Sequence, residues 1–98
     1  MENYLPIEIT DEAWVEIKNI VEKKNIPPEY CLRIGINGAG CAGISYVLGF
    51  DKPGENDKKY EANNMEILIE KKHLMYLLGI KLDFYEGIDA RGFTFIKD

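Results

Sequence analysis

The stretch "LRIGINGAGCAGISYVLGF", Leu32 to Phe50, decides how this chain is read. Leu32, Ile34 and Ile36 alternate with Arg33 and Gly35, the period of a half-buried strand. Ile44, Tyr46, Leu48 and Phe50 alternate in the same way. Between them lies a glycine-rich loop, Asn37 to Gly43. Its centre, "GAGCAG", has the G-x-G-x-x-G spacing of a dinucleotide-binding turn. That reading needs a helix after the loop, because the helix N-terminus holds the pyrophosphate. "ISYVLGF" is rich in β-formers and has period two, so the spacing is a chance match. What remains is a strand–loop–strand hairpin. Gly38, Gly40 and Gly43 position the loop, since glycine adopts positive φ without steric cost. A hairpin does not need a cysteine, yet Cys41 sits between the glycines. One explanation is a small packing residue. The other is a metal or cluster ligand. Flanking glycines would let a bulky inorganic centre approach, and backbone N–H groups would stabilise its sulfur.

Outward from the hairpin the chain keeps changing period. "PIEI" reads as a short strand with Ile7 and Ile9 on one face. Thr10 is a good N-cap, and Asp11 and Glu12 suit the positive end of a helix. Ala13, Trp14, Ile17, Ile20 and Val21 recur at helical spacing, and Pro27 and Pro28 require a stop near Asn25. "DKPGENDKK" reads as a polar loop with a turn at Pro53–Gly54. "MEILIE" is a strand with Met65, Ile67 and Ile69 on one face. "KKHLMYLL" is a short helix closed by Gly79. "IKLDFYEG" and "RGFTFI" are two final strands. Trp14, Tyr46, Phe84, Phe93 and Phe95 fall on apolar periodicities and should pack in the core. Segregated strands and helices of this kind predict an α+β fold with a mixed or antiparallel sheet.

The chain has 98 residues and no internal repeat, which predicts one domain spanning 1–98. Its formal net charge is -5, the wrong sign for a nucleic-acid partner. The N-terminus is polar and acidic, and no apolar run approaches membrane-spanning length, so the expectation is a cytoplasmic protein without a membrane partner. Its two cysteines, Cys31 and Cys41, make no disulfide framework. In a reducing compartment they are thiols.

From Ile7 to Ile96 the sequence resembles the A-type iron–sulfur carriers, the HesB/IscA-like family. The hairpin carries that family's G-C-x-G core. "ITDEAWVEIKNIV" is similar to its first strand and helix. "MEILIEKKHLMYLLGIKLDFYEG" is similar to its strand, short helix and L-D-F strand, and "GFTFI" to its closing G-F-x-F strand. The resemblance implies a compact β-rich sandwich or pseudo-barrel with a mixed sheet and two helices. It implies a homodimer or larger homo-oligomer that binds iron or an Fe–S cluster and moves it between assembly scaffolds and apo-target proteins. The family's usual members use three cysteines, one in G-C-x-G and two in a later C-G-C. Only Cys41 maps onto these ligands, because no cysteine follows it in this sequence. A symmetric pair of chains would then bring two Cys41 thiolates together. The remaining ligands would come from small thiols, a partner protein, or oxygen and nitrogen groups. A relative that keeps the fold and binds no metal, acting as an interaction module, is the alternative.

Further candidates are secondary. Cys31 matches no family ligand and reads first as a packed strand cysteine, though Cys31 and Cys41 would sum to four thiolates in a dimer. His73, the only histidine, is a secondary metal-ligand candidate near the surface. Asp83 and Glu86 could bind iron weakly through oxygen. A Cys41–His73 dyad lacks an orienting third group, so an enzyme is not expected.

Overall fold

In the computed structural model, residues 4–40 and 43–97 are described. The elements in chain order are β1 (Glu8–Ile9), α1 (Asp11–Lys23), β2 (Cys31–Gly40), β3 (Gly43–Asp51), β4 (Asp57–Ala62) and β5 (Met65–Glu70). A 3-10 turn (Lys71–His73) runs into α2 (Leu74–Leu77), and β6 (Ile80–Glu86) and β7 (Arg91–Lys97) complete the chain. The strands form two sheets, of order β3-β2-β5-β4 and β1-β6-β7. Both are mixed: β2 runs parallel to β5 and β1 parallel to β6, while the remaining pairs are antiparallel. The fold is thus α+β, as the periodicities indicate.

Helix α1 starts where its cap says it should. The Thr10 hydroxyl accepts from the Ala13 N–H at 3.2 Å and donates to Asp83 on β6 at 2.7 Å, tying the helix start to the second sheet. The helix ends at Asn25, which takes φ +52°. The Asn25 N–H bonds back to the Glu22 carbonyl and the Ile26 N–H to the Val21 carbonyl. That is a Schellman closure with asparagine in the left-handed position.

The core is one cluster. Trp14 and Ile17 of α1 meet Leu32, Ile34 and Ile36 of β2, Ile67 and Ile69 of β5, and Ile80 and Leu82 of β6. The alternation along β2 is why it contributes three residues to one face. The expected aromatic packing holds: Tyr46 stacks on Phe95 at 4.9 Å, and Phe84 meets Phe93 edge-on at 4.9 Å.

One expectation is corrected. The segment read as a polar loop through Lys59 contains the start of β4, an edge strand paired with β5 from Asp57↔Glu70 to Ala62↔Met65. The turn before it spans Gly54 to Asp57, whose N–H bonds to the Gly54 carbonyl. β4 is polar because it is an edge, with Tyr60 the one large apolar side chain it sends into the core. The initial strand is also shorter than "PIEI", pairing only at Glu8 and Ile9.

Candidate functional site

The site is built on the β2–β3 hairpin. Its register runs Cys31↔Asp51, Leu32↔Phe50 and onward to Asn37↔Ser45, then shifts before Gly40↔Gly43. Two residues of β2, Gly38 and Ala39, therefore face one residue of β3, Ile44. This is a bulge, and Gly38 at φ +71° supplies the left-handed residue such a bulge uses. Gly43 takes φ +99°. A Cβ added at Gly38 or Gly43 would meet nothing within 4 Å, so both glycines are required for backbone conformation and not for space. Gly40 is the register partner of Gly43. In the chain Cys41 and Ala42 connect them. Cys41, the ligand candidate, lies outside the described residues.

The far end of the hairpin is clamped by charge. Arg33 on β2 holds Asp57 with two N–H···O bonds of 2.7 and 2.6 Å, and Asp51 with a third of 3.1 Å. The Asp57 side chain is only 4% exposed. The Arg33 guanidinium holds the Asp57 carboxyl below the usual carboxylate range, against the opposing effect of burial, with help from the Gly54 N–H. This fork ties β2, the end of β3 and the start of β4 together.

Cys31 is at this clamped end, nine residues of strand before Gly40. At about 3.3 Å per residue that is roughly 30 Å of backbone. The four-thiolate arrangement across a dimer needs Cys41 as well, which lies outside the described residues. Cys31 is 3% exposed, and its thiol donates to Glu66 at 3.4 Å. Burial, then the Glu66 hydrogen bond and charge, push its pKa up, which keeps it a thiol and a poor ligand. The packed-cysteine reading holds for this residue.

His73 is at the other end, beside the bulge. β5 runs beside β2 only at Leu32↔Ile67 and Arg33↔Leu68, so the Ile36 N–H is left without a strand partner on that side. The His73 Nδ1 accepts it at 3.4 Å. The ring can lie there because residue 35 is glycine, where a Cβ would meet Nδ1 at 2.9 Å. His73 is half-buried, with its Nδ1 taken up by the Ile36 N–H. It lines a cleft of about 500 Å³ with Ile36, Asn37, Gly38, Glu70, Lys72 and Tyr76. The fold thus brings the loop glycine Gly38 and His73 to one cleft, a link with no local signal in the sequence.

Asp83 and Glu86 are already engaged. Asp83 accepts from the Thr10 hydroxyl and the Phe84 N–H, which lower its pKa in that order, and Glu86 pairs with Arg91 at 3.4 Å. Among the described residues no three His, Cys, Asp or Glu side chains gather into a metal site. No helix among them is long and apolar enough to cross a membrane.

A two-sheet scaffold whose hairpin has one cysteine in its glycine-flanked connecting sequence defines a class: a small α+β domain with a single thiol in its hairpin connection. Comparison with known proteins makes this specific. The family model described as iron-sulphur cluster biosynthesis matches residues 5–97. The iron-sulfur cluster insertion protein ErpA of Aeromonas salmonicida is 39% identical over 92 residues, covering 92% of this chain and 78% of that protein. SufA of Escherichia coli, described as involved in biosynthesis of iron-sulfur clusters, superposes with a TM-score of 0.75 at 25% identity, over 93% of this chain and 79% of SufA. IscA, solved with a [2Fe-2S] cluster, shares the fold, with a TM-score of 0.70 at 22% identity over 93% of this chain and 81% of IscA. The chain belongs to the iron-sulphur cluster biosynthesis family.

Proposed function

We propose that this protein is a carrier that binds iron or a labile Fe–S cluster through Cys41 and passes it to apo-target proteins in the cytoplasm, working as a homo-oligomer with an assembly scaffold upstream. The observation that carries the reading is the hairpin itself, closed by the Gly40↔Gly43 pair, bulged at Gly38 and bearing Cys41 in its two-residue connection. The cluster is cargo, and no bond of an organic substrate is broken, so the protein is not an enzyme. Family membership supports the reading, as does the name of the 39% identical relative, an iron-sulfur cluster insertion protein.

The test is transfer. Protein loaded anaerobically with iron and sulfide is mixed with an apo-ferredoxin, and holo-ferredoxin is followed by circular dichroism. Transfer faster than from free iron and sulfide, and absent with Cys41→Ala, is expected. A rate equal to that of the free ions would leave only the metal-free interaction module.

A further inference from the structure

β3 is the end strand of its sheet, and among the described residues no strand pairs with its outer side. The Ile36 N–H points toward the β5 side of β2, where the His73 Nδ1 accepts it. Ile36 stands opposite Tyr46 in the hairpin register, so the two form a non-hydrogen-bonded pair. The Tyr46 N–H and C=O therefore point away from β2, into the open edge. By the alternation of the strand, those of Ile44, Leu48 and Phe50 do the same.

Proteins guard such edges with charge, short length or proline. The opposite edge of this sheet is guarded: β4 carries Asp57, Lys58, Lys59 and Glu61 within six residues. β3 is nine residues long and has no charge from Gly43 to Phe50. None of its residues is buried, and Ile44 and Val47 are 41% and 40% exposed.

We propose that the β3 edge pairs antiparallel with β3 of a second copy, about a two-fold axis at Val47, joining two four-stranded sheets into one. This gives the homo-oligomer of the carrier reading its surface, and rests on that part of it. A second copy fits because the strand is complementary to itself. Val47 is the midpoint of Gly43–Asp51. Pairing centred there sets Ile44 of one copy against Phe50 of the other, and Tyr46 against Leu48. Every outward N–H and C=O of these residues then has a partner. Moving the axis to Tyr46 or Leu48 carries Phe50 or Ile44 past the end of the opposite strand. The side chains match as well. Ile44–Phe50 and Tyr46–Leu48 are apolar cross-strand pairs on the core side, while Val47 meets Val47 and Ser45 meets Gly49 on the other. The one charge, Asp51, falls opposite Gly43 and is held by Arg33 of its own chain. The two-fold uses up both β3 edges and leaves the charged β4 strands outermost, so assembly through this edge closes at two copies. The Gly43 ends lie roughly 27 Å apart along the paired strands. This surface therefore presents one hairpin connection at each end, and does not join two Cys41 thiolates.

The experiment uses the metal-free full chain. Sedimentation equilibrium should show a dimer. Val47→Lys puts like charges opposite each other at an exposed position and should raise the dimer Kd about tenfold or more. Val47→Glu should do the same, and an equimolar mixture of the two should recover the dimer. Register is read by disulfide crosslinking with oxidised glutathione in a Cys41→Ala background. Across the axis, Val47–Val47 and Ser45–Gly49 are non-hydrogen-bonded pairs, with Cα atoms about 4.5 Å apart and within disulfide reach. Val47→Cys should crosslink to itself. Ser45→Cys should not, yet should crosslink to Gly49→Cys, where an added Cβ meets nothing within 4 Å. A wild type that stays monomeric at about 0.1 mM, or a dimer unmoved by Val47→Lys, overturns the interface. So does self-crosslinking of Ser45→Cys with none at Val47→Cys. No iron enters these measurements, so their failure leaves cargo binding at Cys41 standing. A chain that dimerises as described and takes up no iron fails the carrier reading alone.

Discussion

Consider Asp57→Ala. Asp57 accepts two guanidinium N–H bonds at 2.7 and 2.6 Å and the Gly54 N–H at 2.7 Å, with its side chain 4% exposed. Removing it strands Arg33, whose side chain is 24% exposed and keeps Asp51 at 3.1 Å and the Lys52 carbonyl at 3.3 Å. A fully buried pair broken on one side costs about 3–5 kcal/mol, and an exposed pair about 0–1. The partial exposure of the survivor and its remaining partners place this case at about 2–3 kcal/mol. For a domain of this size that lowers Tm by roughly 10–20 °C. Urea denaturation of the wild type, Asp57→Ala, Arg33→Ala and the double variant isolates the pair. Strong coupling is expected, so Asp57→Ala should cost far less once Arg33 is gone. The pH dependence has a definite sign. The native Asp57 pKa is depressed, so its contribution is complete above the usual carboxylate range and is lost as pH falls through the depressed native value. Asp57→Ala should flatten the acid limb of the stability curve. A loss under about 0.5 kcal/mol at neutral pH, or full additivity with Arg33→Ala, would refute the clamp.

Three further outcomes follow from the geometry. Gly43→Ala forces an L-residue to φ +99° in open space, so it should cost about 1–2 kcal/mol by urea melt, while D-alanine at that position should be nearly neutral. Cys31, buried and hydrogen-bonded to Glu66, should resist iodoacetamide in the native Cys41→Ala variant and react only as fast as the protein opens; prompt labelling would contradict its placement. Thr10→Ala removes both the cap on Ala13 and the bond to Asp83, and should cost about 1–2 kcal/mol in thermal unfolding.

Much of this architecture is written locally. The Thr10 cap, the helical spacing of Trp14 and Ile17, and the alternation of Leu32, Ile34 and Ile36 each name their element, because burial of one face dictates the period. β4 was hidden because an edge strand is free to be charged, and "DKKYEA" carries little apolar signal. A cue was present in Asn63–Asn64, both at positive φ (+54° and +62°), which join β4 to β5 as a primed two-residue turn. Two partnerships had no local signal at all. The parallel pairing of β2 with β5 is set by the core, and it alone brings His73 to the Ile36 N–H. The separation of Cys31 from Gly40 follows from the hairpin register, whereas sequence arithmetic counted only thiols. Gly35 alternates with Ile34 and Ile36 in the sequence, and in the fold it admits the His73 ring.

The central claim is that one thiol, Cys41, holds the cargo. Anaerobic reconstitution with ferrous iron and sulfide tests it most directly, reading the visible spectrum and iron per chain for wild type, Cys41→Ala and Cys31→Ala. Charge-transfer bands present in wild type and Cys31→Ala, and lost in Cys41→Ala, are the predicted result. Iron no higher than background in wild type, or bands that survive in Cys41→Ala, would contradict the account.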